Sequence, residues 1–167
     1  MATCEHLLID GYNIIHAWPD LHGLIATHRE TAVDRLCAGV RVIHDLEGVR
    51  TTVVLDGSGD EISIERPSGD LTFSCLYTPR EVTADCMIEQ LVCKARDPNS
   101  VCVASNDAMI RESAGASGAV VLSSDGLRDW VVSCNKRQRE EIRRRSARQE
   151  KIWRATRELP DESTENS

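Results

Sequence analysis

Aromatic residues make up only 4% of this chain, one Phe, two Tyr and three Trp, so Val, Ile, Leu and Ala must fill its core. No apolar run approaches the roughly 20 residues that a bilayer span needs. The opening MATCEHLLID has neither a basic leading segment nor a cleavable apolar stretch, and the expectation is a cytoplasmic protein with no membrane partner. Seven cysteines, at 4, 37, 75, 86, 93, 102 and 134, form no CxxC pair and lack the tight His/Cys spacing of a structural zinc site. They read as reduced thiols used as small apolar residues. Neither GxGxxG nor GxxxxGK followed by Ser or Thr occurs, which excludes the common glycine-rich phosphate cradles.

What is present fits one ordinary α/β domain. A length of 167 residues is enough for one core and short for two, and the 41% hydrophobic and 28% charged fractions are those of a globular chain. The net charge of -7 argues against a generic nucleic-acid coat, yet it conceals an asymmetry. Lys136, Arg137, Arg139, Arg143, Arg144, Arg145 and Arg148 crowd one stretch, opposed there by Glu140 and Glu141, and leave the rest strongly acidic. An acidic body with a basic arm follows. Residues 1–135 are expected to form the domain, 136–157 a basic solvated helix and 158–167 a disordered tail.

Along the chain, HLLID (6–10) and TTVVLDG (51–57) read as short buried strands that stop on Asp-Gly. A polar loop containing Pro19 separates the first from a helix over Arg29 to Leu46, whose Val33, Leu36, Val40 and Ile43 form one stripe and which Gly48 ends. The segment EISIERPSGDLTFSCL alternates apolar and polar residues about Pro67–Asp70, as a hairpin does. After Thr83, a good N-cap, a helix presents Met87, Ile88, Leu91 and Val92. VCVASND (101–107) and GAVVLSSD (118–125) read as further strands, and Asp125 as the cap of a helix beginning near Leu127. Strands alternating with helices at these lengths predict βαβ units and a parallel sheet covered on both faces.

Three strands thus end in an acid: Asp10, Asp56 and Asp107. In an open parallel sheet the ligand site lies beyond the carboxyl ends of the strands, so the three share an edge. Asp85, at the start of a helix, can join them, with Glu89 one turn further on. Carboxylates so grouped repel one another unless cations neutralise them, and oxygen ligands of this kind suit Mg2+ or Mn2+. For any one of these aspartates alone, capping a turn or helix is the ordinary role. Asp34 and Asp45 read as surface positions of a helix. The five histidines form no metal triad; His16 lies near the acids.

DGYNIIHAWP, the second Asp-Gly at Asp56, TADCMIE from Thr83 to Glu89 and Ser105-Asn106-Asp107 together resemble the YacP-like NYN domain family, relatives of the PIN-domain nucleases. The resemblance covers about residues 5–135. It implies a PIN-like α/β/α sandwich and metal-dependent endoribonuclease activity, with Asp10, Asp56, Asp85 and Asp107 matching the family's acidic site and Asn13 the asparagine that lines it. Two departures stand out: Cys86 where the family usually has a second aspartate, and Ser-Asn-Asp where it usually has Thr-Ser-Asp. Cleavage of RNA, free or on the ribosome, is the leading expectation, with the basic arm binding phosphates. A noncatalytic RNA- or ribosome-binding module is the rival. A Mg2+-dependent phosphatase ranks third, because residue 12 is Tyr where an Asp-x-Asp pair needs a second acid.

Overall fold

The protein is described by a computed structural model over residues 3–158, so the tail expected over 158–167 lies, apart from Glu158, outside the described residues. Strands β1 (His6–Asp10), β2 (Arg50–Leu55), β3 (Ser63–Glu65), β4 (Phe73–Tyr77), β5 (Val101–Ala104) and β6 (Val120–Leu122) form one sheet in the order β3-β4-β2-β1-β5-β6. All pairs are parallel except β3 with β4, the hairpin expected about Pro67–Asp70.

Alternation along the strands decides the layers. Leu7 and Ile9 of β1, with Val53 and Leu55 of β2, pack into one buried cluster with Ile14, Ile15, Leu36, Val40 and Leu127. The residues between them, Leu8 and Val54, join Met87, Ile88, Val92 and Ile110 on the opposite face. The architecture is therefore the expected three-layer α/β/α sandwich. Helices α1 (Gly11–Ala17), α2 (Pro19–Ile25), α3 (Arg29–Glu47) and α6 (Ser124–Arg157) cover the first face, and α4 (Ala84–Lys94) and α5 (Ala108–Ala116) the second.

Local chemistry accounts for most boundaries. Gly48 ends α3 with φ +68°, a conformation open to glycine without a Cβ clash. Thr83 caps α4, its hydroxyl accepting the Cys86 N–H at 3.2 Å. Two expectations need correcting. The segment read as a polar loop around Pro19 is α1 and α2, with Pro19 in the first turn of α2, where its missing N–H costs nothing. Helix α6 starts at Ser124 rather than near Leu127, and its cap is Ser123, which accepts the Gly126 N–H at 3.0 Å; Asp125 lies in its first turn.

Strand β1 lies between β2 and β5. The chain reaches β2 through α1–α3 on one face and β5 through α4 on the other, so the connections diverge at the carboxyl end of β1. An open α/β sheet leaves its crevice at such a divergence. Asp10 is the last residue of β1.

Candidate active site

Both Asp-Gly motifs owe their glycine to close packing. A Cβ on Gly11 would lie 2.4 Å from Leu55 Cδ2, so α1 can leave β1 hard against β2 only without a side chain there. A Cβ on Gly57 would lie 2.2 Å from the Thr78 carbonyl oxygen, and the Gly57 N–H donates to Thr78 Oγ1 at 3.3 Å. The chain after β2 is thereby fixed against the chain after β4. In both places the aspartate one residue earlier is held at the edge of the sheet.

Each acid is anchored by a distinct donor. Asp10 is buried, 6% exposed, and its Oδ2 accepts the Ser105 hydroxyl at 2.9 Å. Asp56 Oδ1 accepts the N–H of Ala84, the first residue of α4, at 2.8 Å. Asp107 caps α5, its Oδ1 accepting the Met109 and Ile110 N–H groups at 2.8 and 3.3 Å. Asp85 sits in the first turn of α4. Capping thus describes part of what Asp56 and Asp107 do, and it fixes their carboxylates in place.

The acids act on one another. Burial pushes Asp10 up to about 6, against the lowering effect of the Ser105 bond, and the charges of Asp85, Asp56 and Asp107 push it the same way. Asp85 is raised by burial, then by Asp107, Asp56 and Glu89. The structure therefore brings Asp10, Asp56, Asp85 and Asp107 within electrostatic reach of each other. Among the described residues, no three His, Cys, Asp or Glu side chains stand close enough to enclose an ion between them. The donor set nonetheless suits a hard divalent ion: all oxygen, excess negative charge and a partly open edge. Mg2+ binds through one or two carboxylates while keeping several waters, so it needs no closed protein cage.

Asn13 lies beside this group, its Oδ1 accepting the Asn106 backbone N–H at 2.8 Å. Asn106 in turn clamps the start of α6: its Nδ2 donates to Ser124 Oγ and its Oδ1 accepts the Ser124 N–H, both at 2.8 Å. Ser105 uses one hydroxyl twice, donating to Asp10 and accepting the Asp107 N–H at 3.0 Å. Cys86 is exposed on α4. A cleft of about 990 Å3 opens beside Asp56, lined among others by Tyr12, His16, Arg29 and Tyr77. Sequence reasoning placed His16 nearby and missed Tyr12, Arg29 and Tyr77.

The seven basic residues lie on α6, which is exposed from Lys136 to its end. Arg137 is tied to Glu47 of α3, and Arg145 pairs with Glu141 at 2.5 Å; Lys136, Arg139, Arg143, Arg144 and Arg148 line the same exposed helix. No helix among the described residues is long and apolar enough to cross a membrane.

These features have counterparts in known proteins. The chain is 35% identical over 85 residues to the Bacillus subtilis protein YacP, which is described as uncharacterized; the match spans 51% of this chain and about half, 49%, of that relative. Crystal structures of Rae1 (YacP) from Bacillus subtilis superpose on it with a TM-score of 0.71. One, at 28% identity, covers 91% of this chain and 87% of that one; the other, a single-substitution mutant at 27% identity, covers 86% and 84%. The fold is nuclease-like, of the NYN and PIN-like kind, whose members generally use divalent metals. The profile of the YacP-like NYN domain matches from residue 7 to residue 166, and the chain belongs to that family.

Proposed function

We propose that this protein is a divalent-metal-dependent endoribonuclease that hydrolyses phosphodiester bonds of RNA. The observation that carries the reading is the convergence of Asp10, Asp56, Asp85 and Asp107 at the carboxyl edge of the sheet, close enough for their charges to add to the burial that raises Asp10 to about 6. Such a set is costly without cations, and the family supplies the nuclease context.

Mg2+ or Mn2+, when bound, supplies an activated water and neutralises charge on the leaving oxygen. The chain's part is placement. Asp10, Asp56 and Asp107 are the residues to hold the principal ion, directly or through water, with Asp85 orienting the attacking water or serving a second ion. Donors from Ser105, Ala84, Met109 and Ile110 fix one oxygen each on Asp10, Asp56 and Asp107, so the carboxylates do not have to reorganise as charge develops. Asn13, held by the Asn106 N–H, lines the edge where a phosphate would lie.

Helix α6 serves as the RNA-binding arm. Lys136, Arg137, Arg139, Arg143, Arg144, Arg145 and Arg148 provide charge that attracts phosphates without regard to sequence, whether the RNA is free or on the ribosome. Replacing Asp10 or Asp107 by Asn is expected to abolish Mn2+-dependent cleavage of single-stranded RNA; undiminished cleavage contradicts the assignment.

One observation favours a second reading. Cys86 is exposed where the family usually has an acid, and a chain so altered would retain RNA or ribosome binding without turnover. Calorimetry with Mn2+ separates the two: no metal site together with no cleavage supports the binding module.

A further inference from the structure

The cleft beside Asp56 has a composition that the carboxylate site does not explain. Its volume, about 990 Å3, exceeds what a water network around the acids needs and is ample for a nucleoside. Two of the chain's few aromatics face it, Tyr12 from α1 and Tyr77 from the end of β4. The Arg29 guanidinium carbon lies 5.4 Å from the centre of the Tyr12 ring, so a planar cation packs over the aromatic wall. Arg29 is itself exposed and offers a planar surface on which a base can stack.

The rim is fixed. Arg80 donates its backbone N–H to the Gly59 carbonyl at 2.8 Å and its guanidinium to the Ser58 carbonyl at 3.1 and 3.3 Å, which holds the Gly57–Gly59 segment in position. The charge is also selective. Glu30, Asp56, Glu61 and Glu65 line the cleft along with Arg29, so a phosphate is repelled from its interior, while a neutral base is not. Ionised carboxylates only accept hydrogen bonds. Adenine and cytosine bring an exocyclic amine that donates; uracil has a carbonyl oxygen at the equivalent place.

We infer that this cleft is a subsite for one unpaired nucleobase of the substrate RNA, stacked against Arg29 and Tyr12 and read by Glu61 and Glu65 in favour of amine-bearing bases over uracil. It rests on the reading of the chain as an RNA-cleaving protein, and it places the bound base next to Asp56, with its phosphate left at the carboxylate edge.

Neutral nucleosides isolate the pocket from both the basic helix and the metal site. The full chain, 15N-labelled and kept in EDTA, is titrated with adenosine, cytidine and uridine while amide shifts are followed. Adenosine and cytidine are expected to move Tyr12, Gly57, Gly59 and Tyr77, with uridine weaker by about fivefold. Tyr12→Ala and Arg29→Ala should each weaken adenosine by about tenfold, whereas Tyr12→Phe retains it. Arg29 is on the surface, so its variant reports on stacking with the fold intact, and the spectrum itself monitors folding. Changing Glu61 and Glu65 together to Gln, which donates as well as accepts, should narrow the gap between adenosine and uridine. Absence of shifts at the cleft, equal response to uridine, or indifference to Arg29→Ala would overturn the inference. RNA cleavage by a chain that shows no cleft shifts removes the base subsite alone. Cleft shifts in a chain that cleaves nothing uphold the subsite and remove the nuclease reading.

Discussion

The Ser105 hydroxyl donates to Asp10 across the carboxyl ends of adjacent strands, at 2.9 Å, and this bond lowers the Asp10 pKa against burial and three neighbouring carboxylates. It keeps a buried acid ionisable near neutrality. Removing the donor therefore has a defined direction. Ser105→Ala should raise the Asp10 pKa above about 6 and weaken Mn2+ binding at any fixed pH near 7. It should also cost about 1 kcal/mol of stability for the lost buried bond. A carboxyl 13C titration of the metal-free chain and a calorimetric Mn2+ titration check the two claims.

Asp10 also sets a pH dependence whose sign is fixed by its shift. Its pKa is raised from 3.8 to about 6, so below pH 3.8 it is protonated in both folded and unfolded chains and costs nothing. As pH rises from about 4 to 6 the unfolded chain releases the proton first, and stability falls. The full penalty, on the order of 3 kcal/mol from about two pKa units, is present above pH 6. In EDTA, Asp10→Asn should therefore be more stable than the parent at pH 7 and equal to it below pH 4. His6, half-buried beside Thr52 and lowered to about 4 by that burial and then by the Arg50 charge, acts in the opposite sense, with stability lost as pH falls from 6.5 toward 4. It is common to both proteins and cancels in the difference. Urea unfolding across this pH range measures it, and Mn2+ should reverse the order by stabilising only the parent.

Much of this was legible from residue order because the signals were local. Asp-Gly at a strand end, Gly48 after a helical stripe, Thr83 before α4 and the hairpin around Pro67–Asp70 each state a boundary within a few residues. Helices α1 and α2 were not legible, since the seven residues of GYNIIHA are too few to show a repeating apolar stripe and depend on burying Ile14 and Ile15 against the sheet. At Ser123-Ser124-Asp125-Gly126 three residues can cap a helix, and tertiary contact with Asn106 selects the earlier start. The pairing of Tyr12 with Arg29 joins α1 to α3 across 17 positions. No spacing rule announces it.

Gly57 provides a test of how the Asp56 edge is built. Gly57→Ala places a methyl against the Thr78 carbonyl, a backbone atom that cannot rotate away. The expected cost is about 1–3 kcal/mol, as for other overpacked sites. Thermal unfolding reads the loss, and weaker Mn2+ binding by the folded fraction reads the displacement of Asp56.

The basic arm makes a separate prediction. Arg143, Arg144 and Arg145 lie on the exposed part of α6, so changing all three to Ala should leave the melting temperature nearly unchanged. RNA affinity should fall at low salt, and the slope of log affinity against log salt should shrink by about 2, at ~0.7 per lost phosphate contact on a single strand. Anisotropy titrations at four salt concentrations measure both. An unaltered slope removes α6 from the RNA interface.

The central claim, that the four converging aspartates make this chain a metal-dependent ribonuclease, is tested most directly by cleavage of an end-labelled single-stranded RNA. The parent should cut internally with Mn2+ and not in EDTA, and Asp10→Asn should lose at least a hundredfold in rate. Equal cleavage by the parent and by Asp10→Asn, or cleavage that persists in EDTA, contradicts the account.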